Sequence, residues 1–326
     1  VAWRNPRSSC PPLSPRRADA LNPLSPAERN RYARHLLLDQ VGPEGQARLK
    51  GSSVLCIGAG GLGSPVLMYL AAAGVGRIGV VDPDRVETSN LQRQVLHGES
   101  TLGKAKVASA QARLADINPH VKVDVFQEAL CAENALDLMR GWDVVVDGTD
   151  NFPTRYLVND ACVILGTPLI YGSIYKFEGQ MSVFNYRGGP NYRDLFPKPP
   201  PPGAVPSCAE GGVLGVLPAV VGSIQATETL KVLLDLGETL SGRILLYDAL
   251  NMTFRELQLK ADPKGPAITE LIDYELFCGI PQTLHKETDL TTLFSRIPVA
   301  DAAEKMKQGW KPFVLDVRRP AEAEIV

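Results

Sequence analysis

From Ser53 to Gly172, short apolar runs alternate with longer amphipathic ones, and no other feature of the chain limits its fold so tightly. SVLCI (Ser53–Ile57), RIGVVD (ending at Asp82), KVDVF, DVVVD and PLIYG have strand length and β-branched composition. Between them stand helical segments. One runs from Ser64 to Gly74, one covers Lys104–Ile117 with Val107, Ala110, Leu114 and Ile117 on one face, and one is TRYLVNDACVIL. Strands separated by helices pair in parallel, because a parallel crossover needs about a helix of chain. The expected fold class is therefore α/β, a doubly wound and mostly parallel sheet with helices on both faces. After Gly172 the pattern changes: GQMSVFNY, GRILLYD and MTFRELQL read as antiparallel strands extending the sheet, with a helix near Gln225–Leu236 between them. The proline run Lys198–Gly203 suits neither helix nor central strand and is expected as an exposed, extended loop. Upstream, AERNRYARHLLL from Ala27 and GPEGQARLK read as helical pieces.

The turn after the first strand, VLCIGAGGLGSP, satisfies GxGxxG at Gly58, Gly60 and Gly63. Glycines there permit a tight turn and close backbone approach, and the following helix N-terminus receives phosphate. The same glycines would also serve strand–helix packing alone. Asp82, nineteen residues past Gly63 at the end of the next strand, favours a nucleotide, whose ribose hydroxyls such an acid binds. This much makes the fold Rossmann-like without saying whether the ligand is NAD or ATP.

Charges beyond Asp82 bear on that choice. TSNLQRQ sets Asn90, Gln92 and Arg93 in a polar loop, and LGKAKV puts Lys104 and Lys106 in the expected first turn of a helix. Cations there oppose the macrodipole unless an anion is near. They are either a solvated basic turn or, with Arg93, a pocket suited to a triphosphate. VVVDGTDN then puts Asp147, Asp150 and Asn151 at the carboxyl end of a buried strand, where open α/β sheets bind ligands. Asp150 suits a Mg²⁺ ion held with phosphates; Asp150 or Asn151 would equally cap the next helix. A dehydrogenase needs an acid or base beside the reacting carbon. The four histidines, His35, His97, His120 and His285, form no cluster, and no Tyr-x-x-x-Lys occurs. A carboxylate attacking the α-phosphate of ATP needs no base, being ionised already at a pKa of about 3.3–3.7. Adenylation fits these residues better than hydride transfer.

The 326 residues suit one large α/β domain or one with part of another. A net charge of −2 gives no reason to expect nucleic acid or an acidic membrane as partner, and no apolar run approaches the roughly 20 residues of a bilayer span. Six cysteines, Cys10, Cys56, Cys131, Cys162, Cys208 and Cys278, include no CxxC pair, which argues for reduced thiols in the cytoplasm. Residues 1–23 read as a disordered Pro/Arg/Ser-rich tail in preference to a transit peptide, and no initiator Met is present. Residues 24–260 are expected as the ATP-binding domain, 261–286 as a linker with some local order, and 287–326 as the beginning of another domain.

Taken together, RYARH, GAGGLGSP, DPDRVETSNLQRQ, GKAKV, DGTDNFPTR and SCAEGGVLGVLPAVVGSIQATETLK resemble the MoeB/ThiF adenylyltransferases, relatives of the ubiquitin-activating enzymes, over Leu24–Leu259. The tail FVLDVRRPAEAEI looks like the start of a rhodanese domain; its active-site loop would lie beyond Val326, so no rhodanese activity is expected of this chain. The resemblance implies ATP-dependent adenylation of the C-terminal Gly-Gly carboxylate of a ubiquitin-like sulfur carrier of the MoaD or ThiS class, followed by sulfur transfer from a donor. It implies that Gly58, Gly60, Gly61 and Gly63 form the phosphate loop and that Asp82 holds the ribose. Ser89, Asn90, Leu91, Gln92, Arg93, Lys106 and Asn151 join them in binding ATP, and Asp150 positions Mg²⁺. Arg34 would reach the ATP site of a second copy, which implies a homodimer. Cys208 aligns with a cysteine that some relatives link covalently to the carrier; the alternative is a small buried thiol. Many relatives hold structural zinc through two CxxC pairs. Here the first pair's positions are Asn191 and Asp194, and near the second only Cys278 remains, so no zinc is expected, and packing or dimer contacts, with NYRDLFP itself as one candidate, are expected to offset the lost staple. An NAD-dependent oxidoreductase and a non-catalytic carrier-docking scaffold remain the alternatives.

Overall fold

The computed structural model describes residues 23–201, 212–263, 265, 267–279, 297 and 299–311. The chain divides into two compact units, residues 1–280 and 281–326. In the first, helices α1 (Pro26–Arg31), α2 (Ala33–Leu36) and α3 (Gly42–Lys50) lead into the sheet. Then β1 (Ser53–Ile57), α4 (Gly63–Ala73), β2 (Arg77–Val81), α5 (Lys106–Ile117), β3 (Lys122–Phe126), α6 (Ala135–Met139), β4 (Val144–Asp147), α7 (Phe152–Leu165) and β5 (Leu169–Tyr175) alternate, all but α6 where the hydrophobic pattern predicts an element. The grammar changes at β6 (Glu178–Phe184), followed by α8 (Tyr192–Leu195), α9 (Leu217–Leu234), β7 (Arg243–Asp248), β8 (Thr253–Gln258) and α10 (Tyr274–Phe277). In the second unit the described helix is α11 (Val299–Lys307).

The eight strands form one sheet in the order β3-β2-β1-β4-β5-β6-β7-β8. Pairings from β3 across to β5 are parallel, and those from β5 to β8 antiparallel. The chain winds outward from β1 to β3 and then returns to lay β4 against the other side of β1, with Ile57 opposite Asp147. The carboxyl ends of β1 and β4 therefore open a crevice at the topological switch point. Strand periodicity divides the core between the two faces. Val54 and Cys56 of β1, with Val144 and Val146 of β4, pack under α4, α5 and α9 with Leu67, Leu70, Leu114 and Val221. Leu55, Ile57 and Val145 pack on the opposite face with Met139 of α6, Tyr156, Leu157 and Ala161 of α7, Tyr192 of α8 and Tyr274 of α10. Burial on both faces is why these strands read as unbroken apolar runs.

The departures from the sequence pattern have local causes. α9 begins at Leu217, not near Gln225, with Pro218 in its first turn. Its early residues Leu217, Pro218, Val221 and Gly222 are buried, which hides helical amphipathicity from a periodicity count. α5 begins at Lys106 after Ala105 in an extended conformation, so Lys104 lies before the helix and not in its first turn. α6, α8 and α10 are four or five residues long, too short to carry a period. Among the described residues no helix is long and apolar enough to cross a membrane.

Candidate nucleotide site

The glycine turn is fixed by backbone packing at the switch point. Gly58 has φ +99°, and a Cβ on it would lie 2.8 Å from the Gly148 carbonyl oxygen across the crevice floor. A Cβ on Gly63 would collide with the Gly58 carbonyl oxygen. These two glycines therefore serve strand–helix packing. Gly60 and Gly61 are less crowded, and at Gly61 a Cβ would lie 3.1 Å from Pro218 and 3.7 Å from the Arg93 side chain. Arg93 is thus brought beside the turn although thirty-two residues separate it from Gly61 in sequence.

Asp82 is 5% exposed and acts on the turn directly. Its Oδ2 accepts from the Ala59 N–H at 2.8 Å, and its Oδ1 accepts from the Asp84 N–H at 2.9 Å. Asp84 answers the question of the basic turn: its carboxylate accepts from Lys106 Nζ at 2.8 Å, so the cation at the start of α5 has its anion within the chain. The Lys106 side chain is nearly buried while Asp84 is mostly exposed, which leaves the pair open to solvent on the acid's side. Arg93 donates from Nη1 to the Ser89 carbonyl at 3.1 Å and is otherwise half-exposed. In the 3₁₀ turn Thr88–Asn90, Asn90 Oδ1 accepts from the Glu87 N–H at 3.2 Å. Ser89 is exposed and Leu91 half-buried, and a Cβ on Gly215 would come within 2.5 Å of Gln92 Oε1, so Gln92 lies against the approach to α9.

At the end of β4 the structure separates three residues that the sequence groups. Asp147 does not project into the crevice: it is buried, and its Oδ1 accepts from the Thr149 N–H at 2.9 Å and the Thr149 hydroxyl at 2.6 Å. Burial pushes its carboxyl pKa up, against the partial pull of Arg155 and the Thr149 bonds. Asn151 is the N-cap of α7, accepting from the Thr154 N–H at 2.9 Å. With the cap filled by Asn151, Asp150 stands exposed at the crevice rim. Two residues missed in the sequence hold this end of β4. Arg155, inside DGTDNFPTR, donates to the Thr149 carbonyl at 3.1 Å, and Gln225 of α9 donates to the Asp147 carbonyl at 2.7 Å. Asp84 was likewise in plain view in DPDR. Gln225 carries no sequence signal, because its partner lies seventy-eight residues away.

Arg34 is not gathered here; it is exposed on α2, which packs chiefly on α1 and α3. Cys208, the tail before residue 23, the end of the proline run and the rhodanese-like stretch FVLDVRRPAEAEI lie outside the described residues.

A second polar cluster lies on the face of the sheet that α7 and α8 cover. Buried Asp160 of α7 accepts from Arg193 Nε at 2.8 Å and Nη2 at 2.6 Å, from the Tyr274 hydroxyl at 2.8 Å and from Asn159 Nδ2 at 3.0 Å. The Arg193 guanidinium stands 4.7 Å from the Phe277 ring centroid and 5.2 Å from that of Tyr156. Asn191 and Asp194 close a capping box around α8, and Asp194 also accepts from the Asp262 N–H at 2.8 Å. These are the positions at which the sequence resemblance places a two-pair zinc site. One thiol, Cys278, whose pKa burial raises against the pull of Arg193, and an amide and a carboxylate already engaged in a cap do not make a tetrahedral donor set. Among the described residues no group of three His, Cys, Asp or Glu could hold a metal ion.

The pattern of the ThiF family matches residues 32–267. The probable adenylyltransferase/sulfurtransferase MoeZ of Mycobacterium tuberculosis is 50% identical over 323 residues, covering 98% of this chain and 81% of that protein. The sulfur carrier protein adenylyltransferase of Thermus thermophilus is 58% identical over 264 residues, covering 78% of this chain and 97% of that one. The crystal structure of E. coli MccB with MccA-N7isoASN aligns with a TM-score of 0.65 at 21% identity, covering 74% of this chain and 75% of that one, a likeness of fold alone.

Proposed function

Because the chain belongs to the ThiF family, we infer that it adenylates a sulfur-carrier protein with ATP. The carrier is read as ubiquitin-like, ending in Gly-Gly. Its terminal carboxylate, ionised at neutral pH, attacks the α-phosphorus of ATP; the bond from that phosphorus to the bridging oxygen breaks, and pyrophosphate leaves. The acyl-adenylate is then open to sulfur from a separate donor. The observation that carries this reading is the gathering of Asp82, Arg93 and the Asp84–Lys106 pair around the glycine turn, with Asp150 exposed at the rim.

In this proposal Gly58–Gly63 offers backbone N–H groups to the phosphates, Asp82 takes the ribose with its remaining lone pairs, and Asn90, Arg93 and Lys106 carry phosphate charge. Ser89, Leu91, Gln92 and Asn151 shape the walls. Asp84 keeps the Lys106 ammonium oriented until the triphosphate enters. Asp150 is the residue that would hold Mg²⁺, and the ion would supply charge neutralisation on the phosphates. Cys208 is proposed as the carrier's covalent attachment point and residues 287–326 as the beginning of a rhodanese-like domain. Cytoplasmic residence suits the scattered thiols.

We further propose a homodimer in which Arg34 serves the site of a second copy; exposed Leu37 and Leu38, three and four residues on, supply apolar surface for the contact. Arg34→Ala and Asp150→Ala chains, each inactive alone, would then recover activity when mixed. No zinc is assigned to the Asp160 cluster. Elemental analysis finding stoichiometric zinc would overturn that assignment, as would a melting temperature lowered by chelator. Carrier-dependent ATP–pyrophosphate exchange tests the main reading: exchange with an intact Gly-Gly carrier and none with a tail-deleted carrier is expected. Exchange with neither, by a folded protein that binds ATP, would leave the scaffold alternative standing.

A further inference from the structure

His97 is 8% exposed and is used by none of the chemistry above, yet it touches the nucleotide turn directly. Its Nε2 lies 2.8 Å from the Ala59 carbonyl oxygen, and its Nδ1 lies 2.9 Å from Ser109 Oγ on α5. A carbonyl only accepts, so Nε2 carries the proton, and in the neutral ring Nδ1 accepts from the Ser109 hydroxyl. Ala59 is thereby held at both polar groups: its N–H donates to Asp82 and its C=O accepts from His97. Ala59 itself is fully buried between Gly58 and Gly60 of the turn. We propose that His97 is a positioning residue for ATP binding, fixing the glycine turn by its bond to Ala59 and tying that turn to the helix that presents Lys106.

The neutral ring agrees with its surroundings. Burial holds the imidazolium pKa below its ordinary value; the Ala59 bond works against this, Lys106 adds to it and Asp82 opposes it. Without the Nε2–H, the Ala59 carbonyl would lie buried with no side-chain donor, and the peptide would be free to rotate away from the conformation that aims the neighbouring N–H groups at phosphate. Ser109 has the complementary part: its hydroxyl keeps the ring in one flip state, so that Nε2 and not a carbon faces Ala59. His97 acts on binding through the turn and does not touch the reacting atoms.

This inference rests on the reading of the turn as an ATP site, and two isosteric substitutions test it. Glutamine carries its amide nitrogen at the reach of Nε2, whereas asparagine reaches only as far as Nδ1. His97→Gln is expected to bind a non-hydrolysable ATP analogue within about twofold of wild type by calorimetry, and His97→Asn about tenfold more weakly. In pyrophosphate exchange His97→Asn should raise the ATP KM by a similar factor with kcat nearly unchanged. Equal affinities for the two variants, or a loss in kcat with KM unmoved, would overturn the proposal. If neither variant folds, Ser109→Ala decides: a weakening of about threefold supports the role, and unchanged ATP affinity defeats it. A wild type that binds the analogue but shows no carrier-dependent exchange would sink the adenylation reading and leave this comparison readable.

Discussion

The crevice around the Gly58–Gly63 turn opens at the carboxyl ends of β1 and β4, the cluster around Asp160 lies on the face covered by α7 and α8, and the two commit their polar side chains in opposite ways. In the crevice the backbone is pinned, by Asp82 and His97 on Ala59 and by Gln225 on Asp147, while Arg93, Asp84 and Asp150 keep much of their charge exposed. Around Asp160 the side chains satisfy one another. A buried carboxylate meets a two-pronged guanidinium, a phenol and an amide, and aromatic rings flank the cation. A site for a charged ligand needs a rigid frame with side chains still available. A buried polar cluster that braces the fold needs every donor and acceptor consumed, because a partly satisfied buried network costs more than an apolar one.

The largest expected effect attacks the Asp160 cluster. Asp160→Ala leaves the Arg193 guanidinium and the Tyr274 hydroxyl without their shared acceptor and should lower unfolding stability by about 3–5 kcal/mol, measured by urea denaturation. If the loss stays under about 1 kcal/mol, the cluster does not brace the fold. Next, Asp150→Ala should do the reverse: pyrophosphate exchange falls by about 10²–10³-fold, as for removal of a group that stabilises charge in the transition state, while stability moves by no more than about 0.5 kcal/mol. Undiminished exchange would remove Asp150 from the site.

Asn151→Ala sits between the two regions, since Asn151 lies at the crevice but caps α7, the helix that carries Asp160. It should cost about 1 kcal/mol of stability, with Asn151→Gly largely restoring it. A loss of activity without any loss of stability would show ligand contact to outweigh the cap. The smallest effect contrasts Asp147 with Asp160. Asp147 has its folded pKa raised above the unfolded value near 3.8, so ionisation costs stability at neutral pH, and that cost disappears as pH falls through the folded pKa toward the unfolded one. Asp147→Asn should therefore be neutral or stabilising by up to about 1 kcal/mol at pH 7, and wild type should close the gap toward pH 4. A strong destabilisation at pH 7 would mean that Asp147, like Asp160, lives on an ion pair.

Much of the crevice's framework was legible in the sequence. β1 has the ends that its apolar run predicts, Asp82 follows from motif spacing, and Asp150 from its place at a strand's carboxyl end. Each depends on residues a few positions apart, where chain geometry fixes the relation between sequence and space. The same locality misled at Asp147, whose strand-end position suggested an open carboxylate. Whether a side chain turns outward or inward depends on what meets it there, and here Thr149 and the Arg155 charge do.

What sequence alone determined is the α/β winding, the glycine turn after β1, the family and the absence of a four-cysteine set at Asn191, Asp194 and Cys278. Those are properties of periodicity, of fixed offsets and of residue identity. What only the tertiary structure decided is which buried polar groups find partners. His97 meets Ala59 across thirty-eight residues, and Tyr274 meets Asp160 across one hundred and fourteen. No pattern in the sequence encodes such a pair. A buried donor must be satisfied by whatever acceptor the packing delivers to it, and that is settled only when helices from distant parts of the chain close on the same sheet.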